Sequence, residues 1–182
     1  MAGHRNARIP PAGRLLAAFA AKVKDIAEKK VGDFADAERE QFTKDIEDQK
    51  FVSFHRFPLS WYTQQVKEEL NLSPLVMVAT REYLSSIKVY RNGFPGFPKS
   101  EKKLTIVIGI HPNKRARDMY TGQLRPDVAM ETVAAANEYG YSRGPARPHW
   151  RPFLYAMRER AKEVRKEIKR LARDHWRQTV GT

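Results

Sequence analysis

The feature that most constrains the fold of this chain is a run in which proline and arginine alternate, within residues 137–154. Its members are Pro145, Arg147, Pro148, Arg151 and Pro152. Each proline fixes its own φ and favours extended geometry in the residue before it, so we expect a stiff segment over residues 144–148. Gly140 and Gly144 are expected to bracket a turn with positive φ just upstream. Because proline is tolerated in a first helical turn, a helix should begin between Pro148 and Trp150. On local grounds alone, an ordinary loop leading into a helix explains the segment equally well.

The most regular helical pattern of the chain follows this segment. Apolar residues recur every three or four positions from Trp150 towards Trp176, which predicts one long amphipathic helix. The other faces of this helix carry Arg158, Arg160, Lys162, Arg165, Lys166, Lys169, Arg170, Arg173 and Arg177 against Glu159, Glu163, Glu167 and Asp174. Over residues 158–177, nine cations against four anions give a net charge of +5.

The N-terminal residues predict further helices. Apolar residues at helical spacing after Pro10-Pro11 indicate an amphipathic helix. Gly32-Asp33 is expected to interrupt it, and a second, highly charged helix should run from there to about Gln49. We expect residues 1–50 to form a helical extension and residues 51–182 to form the main domain.

The main domain has the pattern of an α+β fold. The β-branched residues 104–110 predict the strongest strand, covered on both sides or inside a sheet. A strand near residues 86–91 should pair with it in antiparallel fashion. Short helices are expected over residues 63–70, capped by Ser60, and over residues 127–139, with a polar basic loop over residues 111–125. The expected architecture is a small antiparallel sheet covered by helices.

Composition narrows the function classes. The chain has 34 Lys and Arg against 21 Asp and Glu, and its net charge of +13 suits a polyanion or an acidic protein surface as partner. It has no cysteine, which excludes a disulfide framework and thiolate metal sites and fits a reducing cytoplasm or a particle assembled inside a cell. No apolar run approaches the ~20 residues of a membrane-spanning helix, so we expect no membrane partner.

The sequence has no recognisable catalytic motif. It lacks a phosphate-binding glycine loop, a His-Glu-x-x-His pair and a nucleophile elbow, and its five histidines are scattered. His55 has no partner at ligand spacing, so a packing or surface role is expected for it. We therefore expect neither an enzyme nor a cofactor or metal site, which leaves two classes of binding protein.

The first class is a basic nucleic-acid-binding module. The basic helix and the loop residues Lys114, Arg115 and Arg117 would contact phosphates, and Tyr139, Tyr141 or Trp150 would stack on bases. The four acids interleaved in the helix weaken its field, and an exposed solubilising loop explains the three loop cations as well. The second class is an assembly protein that uses the same helix and the proline segment against neighbouring subunits.

Four segments, taken in order, carry a family resemblance. They are Pro58-Leu59-Ser60 with Thr63, Lys67, Pro74-Leu75 and residues 80–87; the strand residues 106–110; Ala134-Ala135-Ala136-Asn137-Glu138-Tyr139-Gly140; and Pro145-Ala146-Arg147-Pro148-His149-Trp150-Arg151-Pro152. Together they resemble the tail-completion, or head–tail joining, proteins of long-tailed bacteriophages, including the lambda-like minor tail component and virion-morphogenesis groups. The chain departs from the family pattern at Arg81, at Asn137 and at His149-Trp150.

The resemblance implies a structural virion protein of the phage neck or tail top, assembled in the host cytoplasm. It implies a homo-oligomeric ring, with six copies expected, between the head connector and the tail-tube or tail-terminator proteins. Packaged DNA would pass through its lumen. Interface contacts are then expected from Arg143, Arg147, Trp150, Arg151, Arg158, Arg165, Lys166, Lys169 and Arg170.

Overall fold

The structure is a computed structural model that describes residues 12–54, 59–75, 81–91, 93–97, 104–118, 121–140 and 145–180. Its helices are α1 (Ala12–Glu47), α2 (Trp61–Glu69), α3 (Glu82–Ser86), α4 (Met130–Tyr139) and α5 (Trp150–Val180), with a 3-10 turn at Val52–Phe54. Its strands are β1 (Ile87–Tyr90), β2 (Val107–Ile110), β3 (Arg115–Arg117) and β4 (Leu124–Ala129). The expected α+β class, with small antiparallel sheets and long helices at both ends of the chain, is confirmed.

A single helix, α1, replaces the two helices expected on either side of Gly32, so the predicted break was wrong. A Cβ atom at Gly32 would lie 3.3 Å from Cζ of Arg91, and Nη2 of Arg91 donates to the Gly32 carbonyl at 3.3 Å. The same guanidinium pairs with Asp36. The glycine therefore makes room for a tertiary contact, which holds the helix together across a residue of poor helix propensity.

The last third of α1 lies in the core. Phe42 is completely buried, and its ring centroid is 4.1 Å from that of Phe153 and 4.7 Å from that of Trp150. Ile46 is buried in the same cluster, together with Tyr83, Leu84, Ile87, Ile110, Ala116, Met130 and Phe153. The end of α1, which belongs to the extension predicted for residues 1–50, thus shares a core with residues of the domain predicted for residues 51–182.

The predicted antiparallel pair is confirmed as β1 and β2, with Ile87 opposite Ile110 and Tyr90 opposite Val107. The strand predicted over residues 104–110 is shorter than expected, because residues 104–106 form no strand. Of the two predicted alternatives, a position inside a sheet was wrong, since in the described ranges β2 pairs with β1 alone. Apolar β-branched residues indicate burial rather than the width of a sheet. Here α1 packs against the strand pair in place of further strands.

A second antiparallel pair, β3 and β4, occupies part of the segment that was expected to be a polar loop. Its charged residues and Pro126 carry little strand signal, so the sequence pattern did not reveal it. Because residues 127–129 belong to β4, α4 begins at Met130 rather than at Asp127, where it was predicted to begin.

Helices α1 and α5 run antiparallel along their lengths, and α5 confirms the predicted long C-terminal helix. Contacts join them in reverse order: Glu38 with Arg160, Lys30 with Glu167, and Phe19 with His175. Residues 12–31 and 161–180 include no fully buried side chain. We call these two helix halves the helical arm, because they extend beyond the core.

Candidate binding surface

The proline segment ends in a buried cap on the first turn of α5. Residues 145–149 have no regular structure, and α5 begins at Trp150, as predicted. One carboxylate oxygen of Glu138 accepts hydrogen bonds from the backbone N–H groups of His149 at 2.9 Å and Trp150 at 3.0 Å. The other accepts from the N–H of Arg151 at 3.2 Å. Glu138 therefore satisfies N–H groups that would otherwise lack partners at a helix start.

Glu138 also holds a charge partner. Nε of Arg151 donates to its carboxylate at 2.7 Å, although Glu138 itself is only 3% exposed. Burial raises the pKa of Glu138, but the hydrogen bonds from the Arg151 side chain and from three backbone N–H groups outweigh burial and lower that pKa. The ionised carboxylate thus fixes the start of α5 to the end of α4. Gly140, next to this cap, has the positive φ that was predicted, at 78°; Gly144 lies outside the described residues.

We call this connection between the end of α4 and the first turn of α5 the joint. A series of hydrogen bonds also stabilises the joint from the core side. The indole N–H of Trp150 donates to the Tyr83 hydroxyl at 2.9 Å, and that hydroxyl is bonded to Nε2 of His149. Nδ1 of His149 lies 3.1 Å from the Arg147 carbonyl oxygen, which can only accept, so Nδ1 carries a proton and donates this hydrogen bond. Burial raises the pKa of Tyr83, which keeps the phenol protonated. His149 is completely buried, so no substrate reaches its ring in this structure.

Replacing Tyr83 by phenylalanine should test the contribution of these hydrogen bonds to stability. The change removes one oxygen and leaves the Trp150 indole and the His149 ring without that partner, so we expect the free energy of unfolding to fall by about 2 kcal/mol. Urea denaturation followed by circular dichroism measures the loss. Tyr155→Phe is the matched control, because Tyr155 is 65% exposed and should change stability very little. Equal stabilities for the two variants would contradict the role of the Tyr83 hydroxyl.

The joint presents an outward face of α5 that carries positive charge along its length. Residues on this face follow each other at spacings of three or four positions: Arg151, Tyr155, Arg158, Lys162, Arg165, Lys169 and Arg173. All seven are exposed, and such spacing places them on one side of a helix. At 1.5 Å per residue this set, the cationic stripe, is about 33 Å long.

Most cations of the stripe form no ion pair with the residues that the structure describes. Among the described residues, Arg158, Arg165, Lys169 and Arg173 make no ion pair, whereas Lys162 pairs with Glu159 at 2.6 Å. Aromatic rings accompany the cations at one end. Cζ of Arg151 lies 5.3 Å from the ring centroid of Tyr139, and Cζ of Arg158 lies 6.0 Å from that of Tyr155. Exposed tyrosine beside arginine is a composition typical of protein interfaces.

The predicted interface residues divide into four groups. Arg151, Arg158, Arg165 and Lys169 lie on the stripe, while Lys166 and Arg170 are exposed beside it, Lys166 in a 2.7 Å pair with Glu163. Trp150 and Arg147 are only partly exposed, and Trp150 packs in the core, so an interface role for either stays a prediction. Arg143 and Tyr141 lie outside the described residues, as does His55.

The three cations expected to contact phosphates lie on and beside β3, away from the stripe. Lys114 and Arg117 lie 3.4 Å and 3.6 Å from the carboxylate of Glu82, and Arg115 donates to the Pro112 carbonyl at 2.8 Å. A phosphate there would have to compete with Glu82. Their predicted role remains untested, but the larger unpaired positive surface is on α5.

The sequence reading missed Glu138, Tyr83 and Tyr155 as contributors to this surface. Tyr155 could have been found, because it continues the spacing from Arg151 to Arg158 on the outer face. Glu138 and Tyr83 carry no such signal. Their partners lie 11 to 13 and 66 to 67 positions away in the chain, and only the fold brings them together.

Comparisons of the chain with models of known protein families, with characterised proteins and with solved structures return no match. Within the described ranges, no helix has the length and apolarity to cross a membrane. The same ranges contain no cluster of three or more histidine, aspartate or glutamate side chains arranged to hold a metal ion.

Proposed function

We propose that this chain is a non-enzymatic structural protein of a bacteriophage neck or tail top, which joins the head connector to the tail tube. It would act in the virion, after assembly in the host cytoplasm, as a ring of copies of itself. The cationic stripe is the observation that carries the proposal. It is long, exposed and largely unpaired, and it offers a neighbouring subunit both charge and aromatic contacts.

The joint, formed by residues 138–140 and 145–151, supports an assembly role because it fixes the direction of the stripe. Glu138 ties the first turn of α5 to α4, and the Tyr83 hydroxyl ties Trp150 to α3. A surface on a rigid element loses less conformational entropy when it binds than a surface on a mobile loop. The stripe is therefore suited to a defined geometry between subunits.

A ring built from one kind of subunit needs two different complementary surfaces, since each copy contacts the next head to tail. The stripe is suited to one of these surfaces, with an acidic patch of a neighbour or of the connector opposite it. DNA passing through the lumen is the other polyanion that such a stripe could face. Family resemblance and charge both point to this arrangement, and the charge is the part that mutation can test directly.

Charge reversal on α5 tests the proposal. We expect the variant with Arg165, Lys166, Lys169 and Arg170 all changed to glutamate to abolish the joining of heads to tails, because like charges across an interface strongly disfavour contact. Plaque counts and electron microscopy of the particles measure the effect. The matched control reverses Lys22, Lys29, Lys88 and Arg125, which are exposed cations outside α5. Normal infectious particles from the α5 variant would contradict the proposal.

A basic nucleic-acid-binding module is the second candidate, favoured by the same unpaired cations. It predicts that the purified chain binds duplex DNA tightly, with an affinity that falls steeply with salt in proportion to several phosphates. A neck protein should bind DNA weakly and without sequence preference. Fluorescence anisotropy over a series of salt concentrations separates the two, and light scattering reports whether the chain is a monomer or a ring.

A further inference from the structure

An open apolar groove lies at the tip of the helical arm, where the start of α1 meets the end of α5. Its volume is about 420 Å³, and it is lined by Leu16, Phe19, Ala172, Arg173, Trp176 and Arg177. The groove lies near the end of α5, more than 20 residues beyond Trp150, the first residue of that helix. A ligand could bind there whether or not the chain joins heads to tails.

The groove is preformed by ring packing. The ring centroid of Phe19 is 5.0 Å from that of Trp176, edge to face, and 6.0 Å from that of His175, stacked. Phe19 is partly buried by these contacts, whereas Leu16 remains 56% exposed and Trp176 37% exposed. Two helices alone cannot cover this apolar surface, since the arm has no fully buried side chain. A third element would complete the packing.

The charge around the groove indicates which kind of element would bind there. Arg173 and Arg177 flank the groove; among the described residues, neither makes an ion pair and no acidic side chain lines the groove. The two halves of the arm together carry twelve cations and five anions. An occupant must therefore be acidic as well as apolar.

Segments of this chain itself are poor candidates for the occupant of the groove. Residues 1–11 contain Arg5 and Arg8 and no acidic side chain. A second copy of the arm would repel the first. Residues 33–47 are acidic, with six carboxylates and two cations, but the apolar residues Phe42 and Ile46 of that segment are buried in the core.

We propose that the groove binds an acidic amphipathic helix of a partner protein. Apolar side chains at positions i and i+3 or i+4 of that helix would fill the space between Leu16 and Trp176. Its carboxylates would pair with Arg173 and Arg177. The ligand would then pack on the arm as the third helix of a small bundle.

A designed peptide probes the groove in the full chain. It is a labelled helix of about 20 residues, with leucine on one face and glutamate on the others; a second peptide has lysine in place of every glutamate. We expect fluorescence anisotropy to show binding of the acidic peptide and at least roughly tenfold weaker binding of the basic one. The double variant Arg173→Glu with Arg177→Glu should bind the acidic peptide roughly tenfold more weakly than the wild type does.

Two further variants separate the groove from general attraction to positive charge. Lys29→Glu with Lys88→Glu makes the same change in net charge away from the groove and should leave binding within about twofold. Leu16→Asp places a carboxylate in the groove and should abolish binding, while circular dichroism confirms that the variant remains helical. The exposure of Leu16 means that its replacement should not disturb the core.

Three results would overturn the proposal. One is the absence of acidic-peptide binding up to about 1 mM. Another is equal weakening by the two charge-reversed pairs, and a third is binding that Leu16→Asp leaves unchanged. Duplex DNA that competes for the groove with the same dependence on Leu16, or self-association that needs Leu16, would also overturn it, because the occupant would then be a different molecule.

Discussion

Replacing Phe42 by alanine is expected to lower the free energy of unfolding by about 3–5 kcal/mol, because a large ring leaves a cavity at the centre of the core. Phe42 is completely buried, and its ring contacts those of Phe51, Trp150 and Phe153. Urea denaturation measures the change. A loss of this size requires that the end of α1 folds together with the rest of the protein.

The matched control is the same replacement at Phe19, which lies on α1 but in the arm. Phe19 is only partly buried, so its loss should cost about 1 kcal/mol. If residues 1–50 were an extension independent of the main domain, Phe42→Ala would also be mild. Similar small effects at both positions would contradict the shared core.

Replacing Glu138 by alanine is expected to lower the free energy of unfolding by about 2–3 kcal/mol, since it removes the acceptor of three backbone N–H groups at the start of α5. Thermal unfolding followed by circular dichroism measures the loss. Glu131→Ala is the control, because Glu131 lies exposed on the same helix and should change stability by less than about 0.5 kcal/mol. An equal change in both variants would show that Glu138 does not hold the joint.

The effect of Glu138 should also depend on pH. Its pKa in the folded protein lies below the ordinary value of 4.5. A carboxyl group with a lowered folded pKa contributes stability that is fully present above its unfolded pKa and is lost as pH falls through its folded pKa. The stability difference between the wild type and Glu138→Gln should therefore be constant above about pH 5.5 and shrink below pH 4.5. A difference that grows on acidification would contradict the ionised cap.

Local patterns were sufficient for several elements. The repeat from Trp150 onwards predicted α5, and Ser60 caps α2, accepting from the N–H of Thr63 at 3.2 Å. The pairing of β1 with β2 followed from two apolar runs separated by turn residues. In each of these, the residues that form the element also carry its signal, through side-chain spacing, a cap or β-branched character.

Long-range contacts explain what the sequence did not reveal. Gly32 predicted a helix break, but its lack of a side chain serves the approach of Arg91, 59 positions away. The charged side chains of Arg115 and Arg117 predicted a solvent-exposed loop, although backbone pairing with β4 places both residues in a sheet. The joint shows both cases, because its prolines predicted the start of α5, whereas the cap from Glu138 and the hydrogen bond from Trp150 to Tyr83 depend on the fold.

The binding surface was predictable in charge and only partly in geometry. The net charge of the last helix could be counted from the sequence, and the outward cations Arg158, Arg165 and Lys169 were named from it. Trp150 was expected to serve an interface, yet most of its contacts lie in the core because its indole reaches Tyr83. The apolar groove at the arm tip required the pairing of α1 with α5, which no local pattern indicates.

Joining of purified phage heads and tails measures the proposed role most directly. Heads and tails from particles that lack this protein should remain separate, and addition of the purified wild-type chain should produce joined particles in electron micrographs. The variant with four reversed charges on α5 should leave them separate, while the control with reversals away from α5 should join them. Joined particles at the same frequency with and without the chain would contradict a role in the phage neck.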